Sequence, residues 1–156
     1  MIRDARVPAE MPVVRALFDE YAASLDVDLS FQDLARELAE LPGDYAAPHG
    51  CLLVADDGGH TVGCVALRAL VGGDEAQGEI KRLYLCPVAR GRGIGRELAL
   101  AVIARARSIG YRSLKLDTLA SMRSARALYS SLGFRECAPD YRNPLPGTSY
   151  MELALG

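Results

Sequence analysis

The stretch "RGRGIGREL" at positions 90–98 sets three glycines among three arginines. An apolar run, "EIKRLYLCP", precedes it, and a long Ala- and Leu-rich segment follows. A helix N-terminus leaves its first amides unpaired and carries about half a positive charge. Gly91, Gly93 and Gly95 let the backbone bend sharply and come close to a ligand. In the order strand, glycine turn, helix, they build an anion cradle suited to a phosphate or pyrophosphate, with Arg90, Arg92 and Arg96 adding charge around it. A P-loop would need a lysine and a hydroxyl after the last glycine, and neither is there. A dinucleotide fold would need a third glycine where Arg96 stands, and too little chain remains for the second half of a doubly wound sheet.

The elements that must position this turn follow from periodicity. "IRDARV" reads as a first strand closed by Pro8. "MPVVRALFDEYAASL" and "FQDLARELAEL" carry apolar residues at helical spacing. "CLLVAD", "TVGCVALRAL" and "EIKRLYLC" read as an antiparallel meander. Next comes the helix "IGRELALAVIARARSIG", its stripe drawn through Ile94, Leu98, Ala101, Val102 and Arg105 and its stop at Gly110. "RSLKLDT" is a strand, parallel to "EIKRLYLC" because a helix joins them. "SMRSARALYSSLGF" is a helix with Ser121 as N-cap and a glycine ending at Gly133, and two strands close the chain.

Bulk properties exclude several classes. The 156 residues fit one domain, expected to span 1–156, and half are hydrophobic. A formal net charge of −2 argues against a nucleic-acid binder held by a broad basic face. Cys51, Cys64, Cys86 and Cys137 show no C-x-x-C spacing, and His49 and His60 have no second ligand nearby, so no metal site is expected. The cysteines read as reduced core residues, the N-terminus has no apolar signal-type region, and no run reaches the ~18 apolar residues of a membrane span. A cytoplasmic protein, monomer or homodimer, is the expectation.

The pattern Arg90-x-x-Gly93-x-Gly95, with "A-x-x-LY-x-x-LGF" from Ala125 to Phe134, resembles the GNAT superfamily of N-acetyltransferases over the whole chain. The resemblance implies an α/β (α+β) GNAT fold. Its mixed central sheet has about seven strands, an antiparallel N-terminal meander and parallel splayed central strands, flanked by about four helices. It implies acetyl-CoA as acyl-donor co-substrate, its pyrophosphate on the amides of Arg90, Gly91, Arg92, Gly93, Ile94, Gly95 and Arg96. The pantetheine arm would bond to backbone at Leu83, Tyr84 and Leu85, and the acetyl group would pass directly to an amine.

Direct transfer needs a neutral amine, a polarised thioester and a proton for the thiolate. Glu79 lies eleven residues before Arg90, an offset that resembles the catalytic glutamate of the histone-acetylating branch, so it is the expected base, with Asp117 and Glu152 in reserve. Tyr129 occupies the motif position of the tyrosine that approaches the coenzyme sulfur and is the expected acid; a backbone N–H near Leu83 would polarise the carbonyl. Met122 stands where many members carry an asparagine, so one pantetheine contact is missing. Acceptor determinants would fall at Phe18, Tyr21, Leu29, Phe31, Tyr141, Asn143 and Tyr150. That set is aromatic and amide-bearing, which points to a small amine or amino-acid-like acceptor rather than a histone tail. A coenzyme-binding module without turnover is the alternative; Glu79 and Tyr129 together favour the enzyme.

Overall fold

The computed structural model describes residues 1–25, 34–74, 76–119, 121–138 and 148–156. "CLLVADD" opens as an unbroken apolar run, the signature of a strand covered on both faces. It forms β2 (Cys51–Asp57), and its first five residues are buried. To one side lies β1 (Ile2–Asp4); to the other come β3 (His60–Ala69) and β4 (Gln77–Leu85) in an antiparallel meander. Past them are β5 (Ser113–Leu119), β7 (Thr148–Ala154) and β6 (Arg135–Glu136), giving a seven-stranded sheet in the order β1-β2-β3-β4-β5-β7-β6. Four α-helices are described: α1 (Met11–Ser24), α2 (Leu34–Glu40), α3 (Ile94–Ile109) and α4 (Arg123–Ser131). Short 3-10 turns occur at Gly43–Tyr45 and Pro87–Ala89. None of the described helices is long and apolar enough to cross a membrane.

Strand alternation divides the core in two. Leu52, Val54, Cys64, Ala66 and Tyr84 pack against Met11, Val14, Leu17 and Phe18 of α1. Leu53, Val65, Leu67, Ile80, Leu114 and Leu116 pack on the other face against Leu98, Val102, Ile103 and Ala106 of α3 and Tyr129 of α4.

Two features of β4 shape the functional region. Cys64 pairs with Tyr84 but Ala66 pairs with Lys81, so β4 carries an extra residue there. This β-bulge coincides with Arg82 at φ 60°, the one non-glycine residue with positive φ among those described. A side chain in that left-handed region costs about 1–2 kcal/mol, which the surroundings must offset. Secondly, β4 and β5 pair in parallel only at Gln77–Ser113, Gly78–Leu114 and Glu79–Lys115. Beyond that the strands diverge, while β5 stays paired with β7 from Ser113 to Leu119.

Three local readings differ from the structure. β1 ends at Asp4 rather than running to Val7, because the Glu10 carboxylate takes the Arg6 amide at 2.7 Å and turns the chain into α1. Arg105 leaves the buried stripe, which runs through Leu98, Ala99, Val102, Ile103 and Ala106; its guanidinium pairs with Asp4 at 2.8 Å and clamps α3 to β1. Ser121 stands one residue too early to cap α4. Met122 takes that position, set by a turn in which its amide donates to Leu119 O at 2.9 Å, and it makes no side-chain cap.

The glycine ending of α4 is as expected. Gly133 has φ 102°, its amide donates to Ser130 O, and the Phe134 amide reaches back to Tyr129 O, both at 3.1 Å, in a Schellman motif. Phe134 then lies edge-on to the Tyr129 ring with centroids 5.4 Å apart. Gly133→Ala puts a Cβ at positive φ and 3.3 Å from Leu153 Cδ1. It is expected to lower unfolding free energy by about 1–2 kcal/mol, measured by urea denaturation.

Candidate active site

The chain leaves β4 through the 3-10 turn at Pro87–Ala89 and enters the glycine turn. Gly91 and Gly93 both adopt φ 82°, and a Cβ on either would meet nothing within 4 Å. The demand for glycine there is conformational rather than steric. Gly95 is different: its Cβ would touch Leu85 Cδ1 at 3.4 Å. The first bond inside α3 runs from the Glu97 amide to Gly93 O at 3.1 Å, so the amides of Ile94, Gly95 and Arg96 lack partners within the helix.

Beside these amides lies a cleft of about 680 Å³. Its walls are Leu83, Tyr84 and Leu85 of β4, Arg90, Gly91, Gly93 and Gly95 of the turn, Ser121 and Met122 ahead of α4 with the first turns of that helix to Leu128, and Tyr21, Ser24 and Leu25 at the end of α1. The Cys86 amide donates to Val62 O on β3 at 2.8 Å. Strand alternation therefore turns the Leu85 carbonyl the other way, to the open edge of β4. Arg92, Ile94 and Arg96 do not line the cleft by their side chains. The arginines brace the turn: Arg90 donates to Leu85 O at 3.1 Å and lies over the Tyr84 ring, Arg92 pairs with Asp57 at 2.6 Å, and Arg96 donates to Ser131 Oγ at 3.1 Å.

Where β4 and β5 part lies a chamber of about 40 Å³ lined by Tyr21, Lys81, Arg82, Leu83, Asp117, Thr118 and Tyr129, among others; it shares Tyr21, Leu25, Leu83, Met122 and Ala125 with the cleft. Tyr129 is buried, and its hydroxyl has no hydrogen-bond partner among the described residues. Burial pushes this phenol well above its ordinary value, with Tyr21 and Asp117 acting the same way.

Glu79 lies just before the divergence and is not part of the chamber wall. It is buried, and its Oε1 accepts from Arg68 Nε at 3.1 Å. The register places Arg68, Glu79, Lys115 and Glu152 in one row across β3, β4, β5 and β7, alternating in charge. Lys115 and Glu152 meet at 3.7 Å. Of the reserve carboxylates, Asp117 lines the chamber and Glu152 belongs to this row.

Periodicity and motif spacing missed a buried ionic group beside the chamber. Arg82 Nε and Nη2 reach the Glu37 carboxylate of α2 at 3.0 and 3.2 Å, and Tyr45 donates to the same carboxylate at 2.9 Å. The Arg82 guanidinium lies 5.8 Å from the centroid of the Tyr21 ring. Next to it Lys81 is buried, which holds its ammonium below the ordinary range while Glu79 and Asp117 pull the other way. The signal available in sequence was "KR" inside the buried central strand "EIKRLYLC".

Among the acceptor-side candidates, Phe18 is a fully buried core residue edge-on to Tyr45, and Tyr150 is buried on β7. Tyr21 lines both cleft and chamber. Leu29, Phe31, Tyr141 and Asn143 lie outside the described residues.

A mixed sheet split between its central parallel strands, with a glycine turn leading into the following helix, defines a GNAT-type acetyltransferase fold. The pattern of the Acetyltransferase (GNAT) family matches residues 14–134. An uncharacterized N-acetyltransferase from Schizosaccharomyces pombe is 37% identical over 155 residues, covering 99% of this chain and 94% of its own. An IAA acetyltransferase from Azospirillum brasilense is 32% identical over 155 residues, covering 99% and 93%. Among solved structures, a GNAT-family acetyltransferase from Staphylococcus aureus superposes with TM-score 0.79 at 19% identity, covering 100% of this chain and 99% of that one. A GNAT-superfamily phosphinothricin acetyltransferase from Sinorhizobium meliloti, in complex with AcCoA, gives TM-score 0.74 at 23% identity, covering 100% and 88%. The chain belongs to the GNAT family of acetyltransferases.

Gly93→Val forces a β-branched residue into φ 82° at the N-cap of α3 and redirects the free amides. Isothermal titration with CoA is expected to show at least about tenfold weaker binding, roughly 1.4 kcal/mol, with the far-ultraviolet circular dichroism of a folded protein retained.

Proposed function

We propose that this protein transfers the acetyl group of acetyl-CoA directly to the primary amine of a small or amino-acid-like acceptor. The observation that carries this reading is that the glycine-turn cleft shares wall residues Tyr21, Leu83, Met122 and Ala125 with the chamber lined by Tyr129 and Asp117. The amides of residues 90–96 would hold the pyrophosphate, and the open edge of β4 at Leu83–Leu85 would hold the pantetheine arm as an added strand. The acyl carbon then lies where β4 and β5 diverge. The AcCoA complex of the Sinorhizobium meliloti relative supports this use of the fold.

A free alkylamine has pKa ~10.4 and is protonated at neutral pH, so it must lose a proton before it attacks. Asp117 lines the chamber, and we assign it the proton. Glu79, held by Arg68, acts on the site through its charge. Attack of the amine nitrogen on the acyl carbon breaks the C–S bond. The departing thiolate takes a proton from Tyr129, whose raised pKa keeps its hydroxyl protonated in the working range. The Leu83 amide polarises the acyl oxygen.

The whole reading is tested by thermal denaturation with acetyl-CoA and thiol release over a panel of amines. Saturation at 100 times Kd is expected to add about 2.7 kcal/mol of stability, and thiol release to track an N-acetylated product. Stabilisation without thiol release on any amine would make the chain a coenzyme-binding module instead.

Two further outcomes concern named groups. Tyr129→Phe is expected to lower kcat by about 10²-fold or more with little change in the Kd for CoA; unchanged turnover removes Tyr129 from the mechanism. Asp117→Asn is expected to lower kcat/KM by about 10²-fold at neutral pH, with part of the loss recovered as pH rises and the amine deprotonates unaided. In the unsubstituted enzyme kcat/KM should rise with pH through neutrality. Tyr129 causes no fall below about pH 10, because its folded-state pKa is raised above the ordinary phenol value.

A further inference from the structure

The chamber walls carry opposite charges on opposite banks. β4 and β5 are in register at Glu79 and Lys115, one step before they diverge. Two residues further on, on the same strand faces, come Lys81 and Asp117, one on each side of the gap, and both line the chamber. Arg82 joins Lys81 on the β4 bank, and these two cations are nine-tenths or more buried. A charge taken out of water is strongly unfavourable unless an opposite charge matches it. Glu37 grips Arg82 with both oxygens from outside the chamber. Lys81 is drawn by Glu79 and Asp117, but Glu79 also accepts from Arg68, behind the wall. What faces the chamber is therefore a cationic bank on β4 and an anionic bank on β5.

We infer that the acceptor is a zwitterion, an amine that also bears a carboxylate, with its amino group beside Asp117 and its carboxylate beside Lys81 and Arg82. This deepens the N-acetyltransferase reading above and rests on it. When the amine takes Asp117, which otherwise draws Lys81, a simple amine or a lysine-bearing peptide brings no negative charge to the Lys81 bank. A carboxylate at the distance of one or a few carbons reverses the sign on that bank. It also fixes the amine nitrogen between Asp117 and the acyl carbon, so that binding energy is used for orientation. The transfer balances: the new N–C bond replaces the C–S bond. Of the two protons that the ammonium gives up, one leaves through Asp117 to solvent and the other reaches the thiolate by way of Tyr129. The product is an N-acylated amino acid that keeps its carboxylate.

The test is thiol release with matched triplets: each common α-amino acid, with β-alanine and γ-aminobutyrate as spacing variants, its methyl ester, and its decarboxylated amine. For the best acceptor, kcat/KM is expected to be about tenfold or more higher for the free acid than for ester or amine. Lys81→Met should collapse that ratio towards one, while Lys81→Arg, which keeps the charge, should retain most of it. Circular dichroism checks that each variant is folded. Transfer to esters or amines at rates equal to or above the acids overturns the inference but leaves the N-acetyltransferase reading standing. An acid preference undiminished in folded Lys81→Met also overturns it. No transfer to any member of any triplet, with acetyl-CoA bound, overturns both. The preference in the unsubstituted protein decides the matter even if Lys81→Met does not fold.

Discussion

The parting of β4 from β5 is the constraint on which the functional region depends. A strand in the middle of a sheet normally has ladder partners on both sides, and a buried backbone amide or carbonyl left alone costs about 1–3 kcal/mol. Here β4 gives up its partner after Glu79 and still holds its place, because β3 pairs with it up to Leu85. β5 likewise has β7 along its whole length. Each half of the sheet is stable on its own ladder, so the gap between them can stay open. The gap turns backbone groups into a binding surface: a ligand with amides can complete the edge of β4 as a strand would. The glycine turn lies at the end of that same edge, and Arg90 ties the two by its bond to Leu85 O. Edge and glycine turn are thus held in fixed relation.

The bulge at Arg82 makes the divergence possible and also links the site to the outer helices. An extra residue in β4 bends the strand away from β5 and increases its local twist. Arg82, rather than a glycine, occupies the left-handed position, and its side chain is almost wholly out of water. Glu37 of α2, with Tyr45 on the same carboxylate, supplies the two-pronged contact that offsets both penalties. This pair ties α2 to the bulged part of β4.

What could be read in the sequence was what is local in it. The glycine turn, the Gly110 and Gly133 helix ends and the order of elements follow from composition and spacing over a few residues, and the fold class followed with the family resemblance. The bulge left no trace, because a non-glycine residue at positive φ looks like any other arginine. Arg105 was set on the buried stripe by its spacing, but its partner Asp4 is 101 residues away in the chain. Ser121 had the right chemistry for a cap and sat one residue out of place, because the turn that closes from the Met122 amide to Leu119 O starts the helix at Arg123.

The surroundings of Glu79 were equally hidden from the sequence. An offset of eleven residues from the turn selects Glu79 by position, but position along a strand does not say which groups surround a carboxylate. Glu79 belongs to a row in which Arg68, Lys115 and Glu152 are its cross-strand neighbours. Two residues along the same strand faces, beyond the last shared ladder pair, Lys81 and Asp117 flank the opening. The register that ends at Glu79 therefore divides the charged residues of this face by place: Arg68, Glu79, Lys115 and Glu152 lie in paired rows, and Lys81 and Asp117 line the chamber.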